Sequence, residues 1–227
     1  MLNSEQILVA IDGPSASGKS TVSRRVAEQL GFVYVDSGSL YRGITWKAWT
    51  EGVDCKDAAA VIGLVGRIRM EFSVIRDVVC FTIDGTDPGS ALRSEPVVER
   101  VSDIAAIPEV RDYINDHLRA TAAYGHVVME GRDIGTVVFP DSPFQFYLDA
   151  DPRERARRRH LELQDGEPGP LARVLDSLKR RDEKDTTRTA APLQVSENAR
   201  VVNTTRMSID EVVQEIVSDV RHAGIGS

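Results

Sequence analysis

The sequence predicts an α/β fold, a parallel sheet with helices on both faces. Three observations lead there. An apolar run from Ile7 to Ile11 ends at Asp12, and Gly13-Pro14-Ser15-Ala16-Ser17-Gly18-Lys19-Ser20-Thr21 follows at once, opening a helical pattern. A second apolar run, Phe32 to Asp36, comes directly after that helix, which is the start of a βαβ unit. Further short apolar runs at 126–130, 144–149 and 199–204 are separated by helical or turn-rich stretches.

The first run reads as a strand because it is apolar without a break, as in a strand covered on both faces. The segment after it fits the P-loop pattern, Gly-x-x-x-x-Gly-Lys-Ser from Gly13 to Ser20, in the strand-then-helix context the pattern needs. Its glycines let the backbone turn tightly and bring N–H groups against phosphate oxygens, and the helix that follows points its positive end at the same anion. Lys19, expected on an exposed loop, has the reach for β- and γ-phosphates, and the Ser20 hydroxyl suits Mg²⁺. Val22, Val26 and Leu30 give the helix its buried spacing, and Gly31 stops it.

Asp36-Ser37-Gly38-Ser39 closes the second strand, and Leu40, Ile44 and Ala48 predict a helix with Tyr41 and Arg42 in its first turn. Ligands bind at the carboxyl ends of parallel strands, so Ser37 and Arg42 are expected at the same mouth as the P-loop. Ile68 to Val74 and Val78 to Asp84 alternate with period two, and Asp84 to Gly89 is turn chemistry, so 66–93 reads as a small antiparallel β insert. Pro108 starts a helix with Val110, Ile114, His117, Leu118 and Thr121 on its inner face. The strand from His126 runs to Glu130 and into Gly131-Arg132-Asp133-Ile134-Gly135-Thr136, a polar turn at another strand end.

Beyond the strand from Phe144 to Asp149, Arg155, Arg158 and Arg159 share one helix face. Such a stripe is ordinarily a solvated basic face, yet beside a P-loop it suits clamping of transferring phosphate. Gly166 to Pro170 breaks the helix and offers a hinge, so 153–170 reads as a short lid. Helix resumes from Leu171 to Lys179 and runs into the charge-dense stretch Arg181 to Arg188. After the last strand, Ser208 and Glu211 form a capping box ahead of an apolar face of Ile209, Val212, Val213, Ile216, Val217 and Val220.

Composition narrows the function classes. A net charge of −7 disfavours bulk attraction to nucleic acid or membrane, and no apolar run reaches membrane-spanning length. Cys55 and Cys80 give neither metal spacing nor a disulfide framework. With no leader-like segment ahead of Ile7, a cytoplasmic chain is expected. A guanine-reading Asn-Lys-x-Asp is missing, which weighs against a GTPase switch. An ATP motor's acidic pair has only Asp36 and Glu130 as lone candidates. Arginines near strand ends favour a small phosphate-bearing acceptor.

At this point the chain resembles the bacterial cytidylate kinases of the nucleoside monophosphate kinase family. The likeness lies in Ile11 to Thr21, Asp36-Ser37-Gly38-Ser39-Leu40-Tyr41-Arg42, Ser102 to Arg111, Gly131 to Asp141, and Arg181 to Leu193. The resemblance implies a single P-loop kinase unit over 1–227, with the 66–93 insert in the acceptor-binding part and the lid at 153–170. It implies ATP as phosphoryl donor with Mg²⁺, CMP or dCMP as acceptor, no nucleic-acid or membrane partner, and a monomer. Gly13 to Thr21 would hold the ATP phosphates, with Ser20 on Mg²⁺. Ser37, Arg42, Arg132, Arg181, Asp185 and Arg188 would hold the acceptor's sugar and phosphate, and Ser102, Arg111 and Asp133 would read cytosine. Lys19, Arg132, Arg155, Arg158 and Arg159 would carry the transfer. Ala16 stands where many relatives have glycine, and Glu130 where some have aspartate. A kinase of another acceptor such as UMP, or a P-loop switch, are the alternatives.

Overall fold

A computed structural model describes residues 6–162 and 171–223. Seven strands form one sheet: β1 (Leu8–Asp12), β2 (Val33–Asp36), β3 (Met70–Ile75), β4 (Val78–Ile83), β5 (Val127–Glu130), β6 (Phe144–Asp149) and β7 (Arg200–Asn203). Their order across the sheet is β3-β4-β2-β5-β1-β6-β7. Every neighbouring pair is parallel except β3 with β4. Among the described residues eight α-helices accompany them: α1 (Lys19–Leu30), α2 (Ser37–Thr50), α3 (Ala58–Val65), α4 (Glu95–Ile104), α5 (Pro108–Ala120), α6 (Pro152–Glu162), α7 (Leu171–Thr187) and α8 (Ile209–His222).

β1 sits between β5 and β6, and all five of its residues are buried. Its side chains alternate between two cores, as the two-residue strand period requires. Leu8 and Ala10 join a core with Leu40, Ile44, Ile104, Val110, Ile114 and Met129, covered by α2 to α5. Val9 and Ile11 join the opposite core with Val22, Val26, Phe146, Leu148, Val213 and Ile216, covered by α1 and α8. α6 and α7 share a small cluster of Ala156, Val174 and Leu178. Because the central strands are parallel, their carboxyl ends share one sheet edge, and Asp12, Asp36 and Glu130 all end there.

Several expectations change in detail. α2 starts at Ser37, where Asp36 caps it by accepting from the Ser39 N–H at 3.0 Å, so Tyr41 and Arg42 fall in its second turn. α7 continues to Thr187, and Arg181, Asp182 and Asp185 therefore stand on a helix. Ile209 is 43% exposed, so the buried face of α8 begins at Val212. The β3–β4 hairpin pairs β4 onto β2 at Tyr34 and Val78, which makes it an extension of the main sheet. The capping box at Ser208 and Glu211 forms with both of its reciprocal bonds. His117 packs against Phe72 and Tyr113 with Nδ1 2.8 Å from the Tyr113 carbonyl oxygen. The Gly166–Pro170 hinge lies outside the described residues, and the lid is described only to Glu162.

Gly13 shows how tightly the sheet edge is packed. Its φ is +145°, and a Cβ there would sit 2.1 Å from the Leu148 carbonyl oxygen. Gly13→Ala is expected to cost about 3 kcal/mol or more, since overpacking and a forbidden backbone region add. Urea unfolding of the variant measures it, and a loss under about 1 kcal/mol would show that the strand ends can separate.

Candidate active site

A cleft of about 260 Å³ opens at the carboxyl edge of the sheet. The P-loop forms one wall. Gly18, at φ 95°, caps α1, and Lys19 is the helix's first residue. Lys19 is 5% exposed, not on an open loop as expected. Its Nζ donates to the Pro14 carbonyl at 2.6 Å and to Ser17 Oγ at 3.3 Å. Burial pushes its pKa down to about 7, helped by the nearby Arg132 and opposed by Glu130 and Asp12. An anion entering here would restore the full charge.

Ala16 has φ 61°, the left-handed region that glycine adopts freely and alanine does not. Ala16→Gly should therefore relieve about 1 kcal/mol of backbone strain, less whatever the freer unfolded chain gains. Thermal unfolding checks the sign, and a fall in Tm of several degrees would show that the strain is already compensated.

The second wall comes from β2, α2 and the turn after β5. Ser37 Oγ donates to the Glu130 carbonyl at 2.6 Å, and Arg42 pairs with Asp36 at 2.6 Å. Glu130 accepts from the Tyr34 hydroxyl, and burial together with Asp36 raises its pKa. Arg132 donates through Nε to Asp185 at 3.0 Å. Burial alone would lower the Arg132 pKa, yet Asp185 reverses this and the net shift is upward. Arg181 has no such reversal, and burial beside Arg132 brings it down to about 10. Burial and Arg111 likewise lower Arg188, whose Nε donates to the Ala191 carbonyl at 2.7 Å.

The far end of the cleft is built from α4, α5 and the β5 turn. Arg111 is 3% exposed, donates to the Ala105 carbonyl at 3.0 Å and pairs closely with Asp133. Ser102 is buried on α4 and lines the same end. Arg111 also lies 5.4 Å from the Tyr41 ring centre. Asp133 therefore faces a guanidinium already, and any reading of a base by it runs through that pair.

Among the described residues eight Lys or Arg side chains line the cleft against five carboxylates, in a chain whose net charge is −7. Arg42 Nε, Arg111 Nε, Arg181 Nε and Arg188 Nη2 are buried without a hydrogen-bond partner among the described residues. A buried N–H left without an acceptor is costly, so these guanidinium edges, together with the excess of basic side chains, suit a guest rich in acceptor oxygens.

Most residues expected at the site line this cleft, including Ser15, Ala16, Gly18, Lys19, Ser20, Thr21, Ser37, Arg42, Ser102, Arg111, Arg132, Asp133, Arg159, Arg181, Asp185 and Arg188. Gly13, Pro14 and Ser17 stand behind them in the loop. The arginine stripe of α6 divides. Arg159 faces the cleft, but Arg155 is buried, pairing with Asp182 at 2.6 Å and donating to the Ser15 carbonyl at 3.1 Å. Arg158 donates to Thr204 Oγ1 and to the Thr204 carbonyl, at 3.0 and 2.6 Å. Sequence reasoning missed Asp12, Tyr34 and Arg93. Asp12 and Tyr34 look like ordinary strand residues, and Arg93 lies in a short 3-10 turn at 89–93 with no motif around it.

Comparison with known proteins agrees with this layout. The family model for cytidylate kinase matches residues 9–222. A cytidylate kinase of Shouchella clausii (strain KSM-K16) is 41% identical over 214 residues, covering 94% of this chain and 95% of that protein. One of Geobacillus kaustophilus (strain HTA426) is 41% identical over 216 residues, covering 95% and 96%. One of Mycobacterium leprae (strain Br4923) is 42% identical over 217 residues, again covering 95% and 96%. With a phosphate loop, an arginine-lined cleft and this extent of identity together, the chain belongs to the cytidylate kinase family.

Proposed function

We propose that the cleft transfers the γ-phosphoryl group of ATP to CMP or dCMP, giving ADP and CDP or dCDP. The observation that carries this reading is one continuous cavity with the P-loop at one end and the buried Arg111–Asp133 pair at the other. Between them stand Arg132 and Arg181, where two phosphate groups would meet, while Arg188 lies beside Asp133 at 4.0 Å. Phosphoryl transfer asks little covalent work of the protein, mainly alignment and neutralisation of charge.

Gly13 to Thr21 hold the donor phosphates, with Lys19 on the transferring group. Ser37, Arg42, Arg132, Arg181, Asp185 and Arg188 hold the acceptor's sugar and phosphate, and Ser102, Arg111 and Asp133 its base. Arg159 adds charge at the transferring group. Arg155 and Arg158, held to Ser15 and to Thr204 here, join it on lid closure over 153–170. The 66–93 hairpin belongs to the acceptor-binding part of one kinase unit spanning 1–227.

Mg²⁺ fits the wall at Ser20. Among the described residues no three His, Cys, Asp or Glu side chains gather to hold a metal by themselves. Mg²⁺ bound mainly through phosphates and water needs few protein oxygens, and the Ser20 hydroxyl beside Glu130 supplies them. The ion held there would supply positive charge to the phosphates of the donor. No described helix is long and apolar enough to cross a membrane. A cytoplasmic monomer without a nucleic-acid partner completes the reading.

Wild-type protein with ATP and Mg²⁺ should phosphorylate CMP and dCMP in a panel that includes UMP, AMP and GMP. Activity confined to another acceptor would overturn the assignment. A second expectation concerns protons. Lys19 in the free protein has a pKa near 7, and bound polyphosphate raises it. ATP binding should then take up about one proton at pH 8 and almost none at pH 6. Titration calorimetry in buffers of different ionisation heat, taken as the difference from Lys19→Met, reads that uptake. Equal uptake at the two pH values would disprove the shift.

A further inference from the structure

Asp12 has no part in the chemistry described so far, yet it is 6% exposed and makes two bonds to the turn that follows β5. Its Oδ1 accepts from the Ile134 N–H at 3.0 Å and its Oδ2 from the Gly135 N–H at 2.8 Å. These are the first two amides of the helical turn Ile134–Val138, which begins directly after Arg132 and Asp133. A carboxylate from β1 thus caps a turn more than a hundred residues away in sequence, and it precedes the P-loop by a single position.

The surroundings leave this contact little freedom. A Cβ at Gly135 would meet Gln145 Oε1 at 2.6 Å, and one at Gly131 would meet Ile134 and Ser37 at 2.7 Å. The turn is therefore pressed against β6 and α2 while Asp12 ties it to β1. Burying a carboxylate is expensive, and desolvation raises the Asp12 pKa to about 6 despite both N–H donors. A serine or asparagine would cap one of the amides at lower cost. What only a carboxylate does is accept from both at once, fixing the turn in rotation as well as in distance.

We propose that Asp12 is a positioning residue that locks the Arg132–Asp133 segment to the P-loop, setting the acceptor against the donor phosphates. This deepens the function proposed above and rests on it. The P-loop itself keeps other supports, from Arg155 on Ser15 and from Thr204 Oγ1 on the Ser17 carbonyl at 3.1 Å. Loss of the Asp12 bonds should therefore misplace the acceptor side more than the donor side.

The test is Asp12→Asn, nearly the same shape, whose single amide oxygen can accept from Ile134 or from Gly135 but not from both. The KM for CMP is expected to rise at least about tenfold and the preference for CMP over UMP to fall, given the steep dependence of transfer on alignment. The Kd for ATP, read by calorimetry, should stay within about twofold. Unchanged KM and preference would overturn the proposal. So would an equal loss of kcat on both acceptors accompanied only by a lower Tm, the mark of a purely structural residue. If Asp12→Asn does not fold, the backbone amide resonances of Ile134 and Gly135 in the wild type decide. They should shift when CMP alone binds, and invariance at saturating CMP would overturn the lock. Wild type that fails to phosphorylate CMP refutes the function instead, which keeps the two failures apart.

Discussion

Lys19→Met is expected to lower kcat/KM for ATP-dependent transfer by about a thousandfold, near 4 kcal/mol of transition-state stabilisation. The ammonium group is the positive charge most deeply set in the P-loop, already desolvated and held by Pro14 and Ser17. In the free protein it donates to neutral oxygens only, so the full charge that an incoming phosphate restores is not already shared with a carboxylate bonded to it. Methionine keeps most of the apolar stem and removes the charge. It also removes a cation whose burial is unfavourable, so the fold should survive, as circular dichroism and Tm would show. A variant within tenfold of wild type would mean that the arginines of the cleft neutralise the transferring group without Lys19.

The second large effect is base choice. CMP offers an amino donor at C4, where UMP offers an oxygen acceptor. Ser102 and Asp133 can accept from that amino group, and Arg111 can donate to the ring's acceptors. Against UMP two contacts fail, and each unmatched buried polar contact costs about 1–3 kcal/mol. The wild type should then prefer CMP by at least about a hundredfold in kcat/KM. The buried pair changes how this is tested. Asp133→Ala would leave Arg111 buried without its partner, a loss that is about stability as much as recognition. Asp133→Asn and Ser102→Ala are cleaner, and each should erode the preference mainly by losing activity on CMP. Equal use of UMP and CMP by wild type, or a full preference in both variants, would refute cytosine reading by these residues.

Much of this was legible because local rules and tertiary context agree. An unbroken apolar run, a glycine loop and a 3.6-residue pattern each demand the same βαβ start, and the parallel sheet then fixes which strand ends converge. Arg132 and Asp133 were readable as residues of a polar turn at a strand end. What could not be read was pairing at a distance. Nothing local says that Asp133 meets Arg111, that Arg155 is buried against Asp182, or that Asp12 spans to Ile134 and Gly135. Lys19 was misread as exposed because the sequence does not show that the loop folds over its own lysine. The start of α2 was set too late for a similar reason. Ser37 and Gly38 are poor helix formers, and the Asp36 cap that starts the helix is a side-chain bond.

The position of β1 has a consequence for how the chain is made. Its two neighbours are β5 and β6, pairing Leu8 with Val127 and Val9 with Phe144. Closing such long loops is paid in entropy before any contact returns it, which slows folding. During synthesis the segment that cradles phosphate is made well before β5 and β6, and it waits for both strands that will flank it. A nascent chain shorter than about Glu130 has no completed nucleotide site for ATP to stabilise. The ligand can favour the folded state only once both flanking strands and the cleft residues up to Arg188 have been made, and until then the apolar residues of β1 lack the neighbours that bury them.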